Sequence, residues 1–132
     1  MHTMRRGRPG IIFVPLLLAC SGSSSPVAPS SNAVVTFGVL NETFRVSLTT
    51  AGQVAAARAA QAGGTARIPI GRVVPGAEVN SGWSWHLEDV MFGEATPDAC
   101  DGRPSDVEKQ GVKFGGDRYC PWAATILDVV DK

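Results

Sequence analysis

Apolar side chains recur along the chain with two different periods. Val35, Phe37 and Val39 alternate with Val34, Thr36 and Gly38, the period-two signature of a strand with one buried face. After Asn41-Glu42, Phe44, Val46 and Leu48 alternate with Thr43, Arg45, Ser47 and Thr49 in the same way. Two such runs around a short break predict an antiparallel hairpin, with Asn41 supplying the positive φ that a tight turn needs. The next stretch changes period. Thr50 and Gln53 have capping-box spacing, Gln53–Ala62 is rich in alanine, and Gly63-Gly64 offers a left-handed stop, which predicts a small-faced helix able to lie close on a sheet.

Ile68, Ile70 and Val73-Val74 predict another strand, with Pro69 marking an edge or a bulge and Pro75-Gly76 a turn. Trp83, Trp85 and Leu87 then share one face, and Ser84, His86 and Glu88 the other. Val90 and Phe92 predict a further strand. A turn-rich segment from Ala95 to Pro104 follows, and Ser105 with Glu108 repeats the capping-box spacing ahead of a short helix. Ala124–Val130 is β-prone. The sum is an α+β domain with a mainly antiparallel sheet, one Ala-rich helix and one short helix, spanning 33–132.

The first 32 residues do not follow these patterns. Arg5, Arg6 and Arg8 precede an apolar run from Ile11 to Ala19, about half the roughly 20 residues that a membrane-spanning helix needs. The basic flank, the short apolar run and the small residue at its end predict a cleavable export signal over 1–19. Residues 20–32 are mostly Ser, Pro and small side chains, unable to bury apolar area, and read as a flexible tether.

Leu17-Leu18-Ala19-Cys20 resembles the lipobox of bacterial lipoproteins, with Leu18 departing from the usual small residue. That resemblance implies a thiol at Cys20 that takes a diacylglyceryl group and becomes the first residue after cleavage. Several acyl chains anchor stably where one would not. Ser21 in place of aspartate implies the outer membrane, so the expected location is the cell envelope. The alternative is a secreted protein cut after Ala19.

Composition adds two points. The chain has 132 residues and no net formal charge, but all three leader arginines leave with the signal. The remainder has nine basic and twelve acidic side chains, a net −3. It lacks the basic stripe that would release counterions from a phosphate backbone, so nucleic acid is not an expected partner. The cysteine count is three. Lipid on Cys20 leaves Cys100 and Cys120 as a pair that an oxidising compartment would join.

From Glu42 to Trp122, several words resemble those of a family of small exported domains labelled calmodulin-binding-protein-like. They are Glu42-Thr43-Phe44-Arg45-Val46, Ile70-Gly71-Arg72, Gly82-Trp83-Ser84-Trp85-His86-Leu87, Cys100-Asp101-Gly102 and Tyr119-Cys120-Pro121-Trp122. The resemblance implies one compact domain with a Cys100–Cys120 bridge. It implies no mechanism, since the family's activity is undefined. Calmodulin itself is not an expected partner. Its targets are basic amphipathic helices, whereas the helix here carries mostly alanine and one cation, Arg58.

Several residue groups carry candidate chemistry. Trp83, Trp85 and Trp122 could form a stacking platform for a peptide or glycan, against a reading in which the first two are core and Trp122 packs on the disulfide. His86 could serve a hydrolase with Glu88 or Asp101. Strand neighbours point in parallel, however, and no nucleophile-elbow word is present, so a hydrogen-bonded structural histidine is expected. Cys100, Cys120, His86 and Asp101 lack the close cysteine spacing of zinc sites. Asp98, Asp101 and Asp106 lack EF-hand spacing and read as turn and helix-start residues. No metal or cofactor is therefore expected. The functional expectation is a lipid-anchored envelope protein with a non-catalytic binding domain. A small hydrolase and a purely structural component are the alternatives.

The anchor has a direct check. Cys20→Ala is expected to leave the protein soluble or uncleaved on cell fractionation. Mature-size protein still in the membrane fraction would refute lipid attachment at Cys20.

Overall fold

The computed structural model describes residues 30–94, 100–110 and 117–132, with the isolated positions Gly10, Gly22 and Ala28. The expected leader, the expected lipid-attachment residue Cys20, most of the expected tether and Asp98 lie outside the described residues.

Six strands and two helices follow in the order β1 (Ala33–Val39), β2 (Glu42–Leu48), α1 (Ala51–Gln61), β3 (Ile68–Pro75), β4 (Trp85–Gly93), α2 (Pro104–Gln110), β5 (Arg118–Tyr119) and β6 (Ala124–Asp131). They build two three-stranded antiparallel sheets, ordered β2-β1-β6 and β4-β3-β5. The α+β class, the mainly antiparallel pairing, the two helices and the single disulfide stand as the sequence implied. The division of the strands into two sheets was not foreseen. Among the described residues no helix is long and apolar enough to cross a membrane.

The first sheet follows from the alternation. Ala33, Val35, Phe37 and Val39 of β1 and Phe44, Val46 and Leu48 of β2 are buried, on one face of the hairpin. Val39 pairs with Glu42, so the turn is the two residues Leu40 and Asn41. The positive φ falls on Leu40 (57°), not on Asn41 as the sequence suggested. In a two-residue hairpin loop the first position carries that demand in either primed turn type, whatever residue stands there. β6 closes the other side of β1 with Val39 opposite Ala124 and Ala33 opposite Asp131. A bulge at Thr36/Phe37 leaves Leu127 covering Gly38 on the outer face.

Thr50 caps α1 through the full capping box, accepting from Gln53 N–H while the Gln53 carboxamide oxygen takes the Thr50 N–H. The helix ends at Gln61, and Gly63 takes the left-handed conformation (φ 99°). Val54, Ala57 and Ala60 face inward, so α1 packs on β6 and β4. Gln53 Nε2 also donates to Val90 O (2.9 Å), fixing the helix start on β4.

β4 is a single strand through Phe92, rather than the two that the sequence suggested. A bulge absorbs the break in alternation: Ile70 pairs with Met91 and Arg72 with Glu88, and Asp89 takes a positive φ of 52°. Gly71 sits opposite the bulge. A Cβ there would lie 3.0 Å from Leu87 Cβ and 3.1 Å from Val90 Cγ2, so only glycine lets the strands approach this closely. Pro69 lies outside the two-residue stretch that β5 adds to β3.

α2 also differs from expectation. Pro104 opens it, and Asp106 rather than Ser105 makes the cap, its carboxylate accepting the Arg103 N–H (2.9 Å). Ser105 and Glu108 are taken up by tertiary bonds instead. The Glu42 carboxylate accepts from both Ser105 N–H (2.9 Å) and Ser105 Oγ–H (2.6 Å). The Glu108 carboxylate accepts from both Ser84 N–H (3.0 Å) and Ser84 Oγ–H (2.8 Å). The helix is thereby tied to β2 at one end and to the approach to β4 at the other.

Two changes check this architecture. Asn80 is only 1% exposed; its Oδ1 accepts from Arg45 N–H (2.9 Å) and its Nδ2 donates to Trp85 O (2.8 Å). Asn80→Ala strips both partners and is expected to lower the unfolding free energy, measured by urea titration, by about 2 kcal/mol. The double change Cys100→Ser with Cys120→Ser opens a loop of sequence separation 20 and is expected to cost about 3 kcal/mol in the same assay.

Candidate functional site

The three tryptophans have three different environments. Trp85 opens β4 and is 4% exposed, its ring 5.9 Å from Phe44 and 5.6 Å from Tyr119. It belongs to the core, although its buried Nε1–H finds no acceptor among the described residues. Trp83 precedes the strand, lies 6.3 Å from Trp85 ring to ring, and donates its Nε1–H to Thr43 O (2.9 Å). It is partly buried against the core and closes its edge. Trp122 is 46% exposed, in the turn that Ala124 N–H closes onto Pro121 O.

Trp122 owes its placement to its neighbours. Tyr119 is buried in the aromatic cluster and its hydroxyl donates to Gly102 O (2.8 Å). Burial, with the charges of Asp101, Glu42 and Asp106 adding to it, drives the Tyr119 pKa far above the usual tyrosine value, so the group stays a donor. Cys120 is bonded to Cys100, with Cα atoms 5.3 Å apart, and its N–H donates to Cys100 O (3.0 Å). Pro121 is fully buried. Three consecutive anchors thus fix the backbone just before Trp122.

A groove of about 270 Å³ lies beside this indole, lined by Ile68, Ile70, Glu94, Cys100, Arg118 and Cys120. Its lining carries one charge of each sign, Glu94 and Arg118, among apolar side chains. That suits a small neutral or zwitterionic group better than a polyanion. Apolar walls beside a few polar groups are what small ligand sites commonly present.

His86 is 6% exposed. Its Nδ1–H donates to Gly76 O (2.6 Å), and its Nε2 lies 3.3 Å from Glu88 Oε1 and 3.8 Å from Glu78 Oε1. Burial opposes its charge, but the Gly76 carbonyl, the Glu88 carboxylate and the negative charges of Glu78 and Glu88 outweigh it and raise the pKa above 6.5. The residue faces backbone and carboxylates. Ser84, the nearest hydroxyl in sequence, gives its proton to Glu108 rather than approaching the imidazole.

The remaining candidates are not brought together. Among the described residues one carboxylate oxygen of Asp101 is buried without a partner, and none of its bonds reaches His86. Asp106 serves the α2 cap. Cys100 and Cys120 are joined to each other, which removes both as thiolate ligands. Among the described residues no three His, Cys, Asp or Glu side chains gather as a metal site. Sequence reasoning missed Ile68, Ile70, Glu94 and Arg118. The two isoleucines signalled only a strand, and Arg118 belongs to a two-residue strand with no periodicity to find.

A two-sheet, disulfide-stapled α+β domain with an exposed indole, Trp122, beside a small groove defines a class of compact domain rather than a chemistry. The chain belongs to the BP-74 N-terminal domain family, whose model matches residues 31–132. No curated protein and no solved structure gives a significant match.

The three indoles should separate on substitution. Trp85→Ala is expected to cost about 3–5 kcal/mol, as large aromatic truncations in cores do. Trp122→Ala is expected to change stability by no more than about 0.5 kcal/mol in the same denaturation series.

Proposed function

We propose that the chain is a lipid-anchored cell-envelope protein whose folded domain is a non-catalytic binding module, with Trp122 as its contact residue. The anchor is read from the leader and from Cys20, and the location from Ser21. The observation that carries the binding reading is the exposure of Trp122 on a backbone held rigid on both sides of Cys120. Exposing a large aromatic at the surface forgoes its burial energy. The other two indoles pack wholly or partly in the core, and this one stands beside a groove.

The groove, with Glu94 and Arg118 in its lining, has room for a peptide side chain or a sugar ring. An indole offers a flat face for the C–H surface of either, and the two charged groups offer hydrogen bonds. Trp83 and Trp85, turned into the core, have no part in this surface, and His86 acts as a structural group. The hydrolase alternative draws no support from the geometry, since His86 meets carboxylates on one ring nitrogen and a carbonyl on the other.

Tryptophan fluorescence titrated with soluble peptides and glycans is the test. The native chain is expected to respond to at least one class with a saturable shift, and Trp122→Ala to lose that response while remaining folded. A response that survives in Trp122→Ala would move the site elsewhere. No response from any member would favour a purely structural role.

A further inference from the structure

We propose that His86 is a proton-controlled latch that holds the 76–84 segment over the outer edge of β2, and that losing its proton frees that edge. The case begins with β2. Its hairpin with β1 pairs Val39 with Glu42, so Phe44 and Val46 direct their backbone bonds to β1 while Thr43 and Arg45 direct theirs outward. An outward strand edge is a template for another strand unless something covers it. Here the cover is two side chains. Asn80 Oδ1 takes the Arg45 N–H (2.9 Å), and Trp83 Nε1–H donates to Thr43 O (2.9 Å). Both come from the segment between β3 and β4.

That segment is held at its start by His86. Nδ1–H donates to Gly76 O (2.6 Å), while Gly76 N–H donates to Ser84 O (2.8 Å) and closes the base. Nε2 points at Glu88 Oε1 (3.3 Å) on β4 and at Glu78 Oε1 (3.8 Å) on the segment itself. Both of its ring nitrogens therefore face acceptors, and only the imidazolium has two donors. Arg72 on β3 binds Glu88 Oε2 (2.6 Å) and Asp89 (3.3 Å), which leaves Glu88 Oε1 for His86. Glu78 itself sits in a left-handed conformation (φ 46°), a costly one for glutamate. Once Nε2 loses its proton, its lone pair faces two carboxylates and the attraction becomes repulsion.

The direction with pH follows. The native pKa of His86 is raised above 6.5, so its contribution to the closed form is complete below 6.5 and is lost as pH climbs through the native value. Below residue 20 lies the only other histidine, His2, so cleavage after Ala19 would leave His86 as the one histidine to titrate.

Amide hydrogen exchange of the full mature chain, corrected for the intrinsic pH dependence of exchange, tests the latch. Protection of the Arg45 amide is expected to fall several-fold between pH 6 and pH 9, while that of Val46, bonded to β1, holds steady. His86→Gln is expected to flatten the Arg45 profile. Glu78→Gln, a change at an exposed side chain, is expected to move its midpoint to lower pH and remains informative if His86→Gln fails to fold. An Arg45 amide whose protection does not change with pH in the native chain would overturn the proposal. So would an unchanged step in His86→Gln, or an unmoved midpoint in Glu78→Gln.

Discussion

A run of aromatic rings joins the two sheets. Phe37 and Phe44 stack at 5.2 Å within the first sheet, and Phe44 meets Trp85 at 5.9 Å and Tyr119 at 5.6 Å from the second. Trp85 and Tyr119 meet edge to face at 5.6 Å. Each such pair contributes about 0.5–1.5 kcal/mol beyond the area it buries, and the geometry is directional. Neither three-stranded sheet could be stable with its apolar face open to water. The ring contacts therefore set how the sheets face each other, and every loop must fit around them.

The polar contacts work at the border of that stack. Asn80 and Trp83 close the side where β2 would otherwise be bare. Glu42 and Glu108 each grip a serine through its amide and hydroxyl, binding α2 across the sheets. Tyr119 carries the core outward: its ring belongs to the stack, its hydroxyl holds Gly102, and the next residue is bridged to Cys100. Trp122 is the first large side chain beyond this chain of anchors, and it is left 46% exposed. The same order of residues that completes the core thus positions the exposed indole.

Local signals in the sequence suffice where one period rules. The alternation of Val35, Phe37 and Val39 with Phe44, Val46 and Leu48 gave the hairpin, and Thr50 with Gln53 gave the helix start. Signals failed where tertiary contacts outweighed spacing. Ser105 has the spacing of a cap but is claimed by Glu42. Val90 looks like a fresh strand because a bulge at Asp89 breaks the alternation within one. Leu40 takes the left-handed turn position because hairpin register, set by the buried faces, leaves it there beside the better-suited Asn41. β5 is too short for any periodicity. As for the candidate site, Trp122 was visible as a residue type, but its exposure and its groove companions depend on folding contacts far apart in sequence.

The indole N–H resonances of the ¹⁵N-labelled protein report on the rings and on the surface at once. Trp83, bonded to Thr43, and Trp85, enclosed in the stack, should exchange slowly with solvent and stay fixed when ligands are added. Trp122 should exchange fast and be the signal that moves. A protected, unresponsive Trp122 signal, or a Trp85 signal that exchanges freely, would contradict an aromatic core that leaves one indole free for binding.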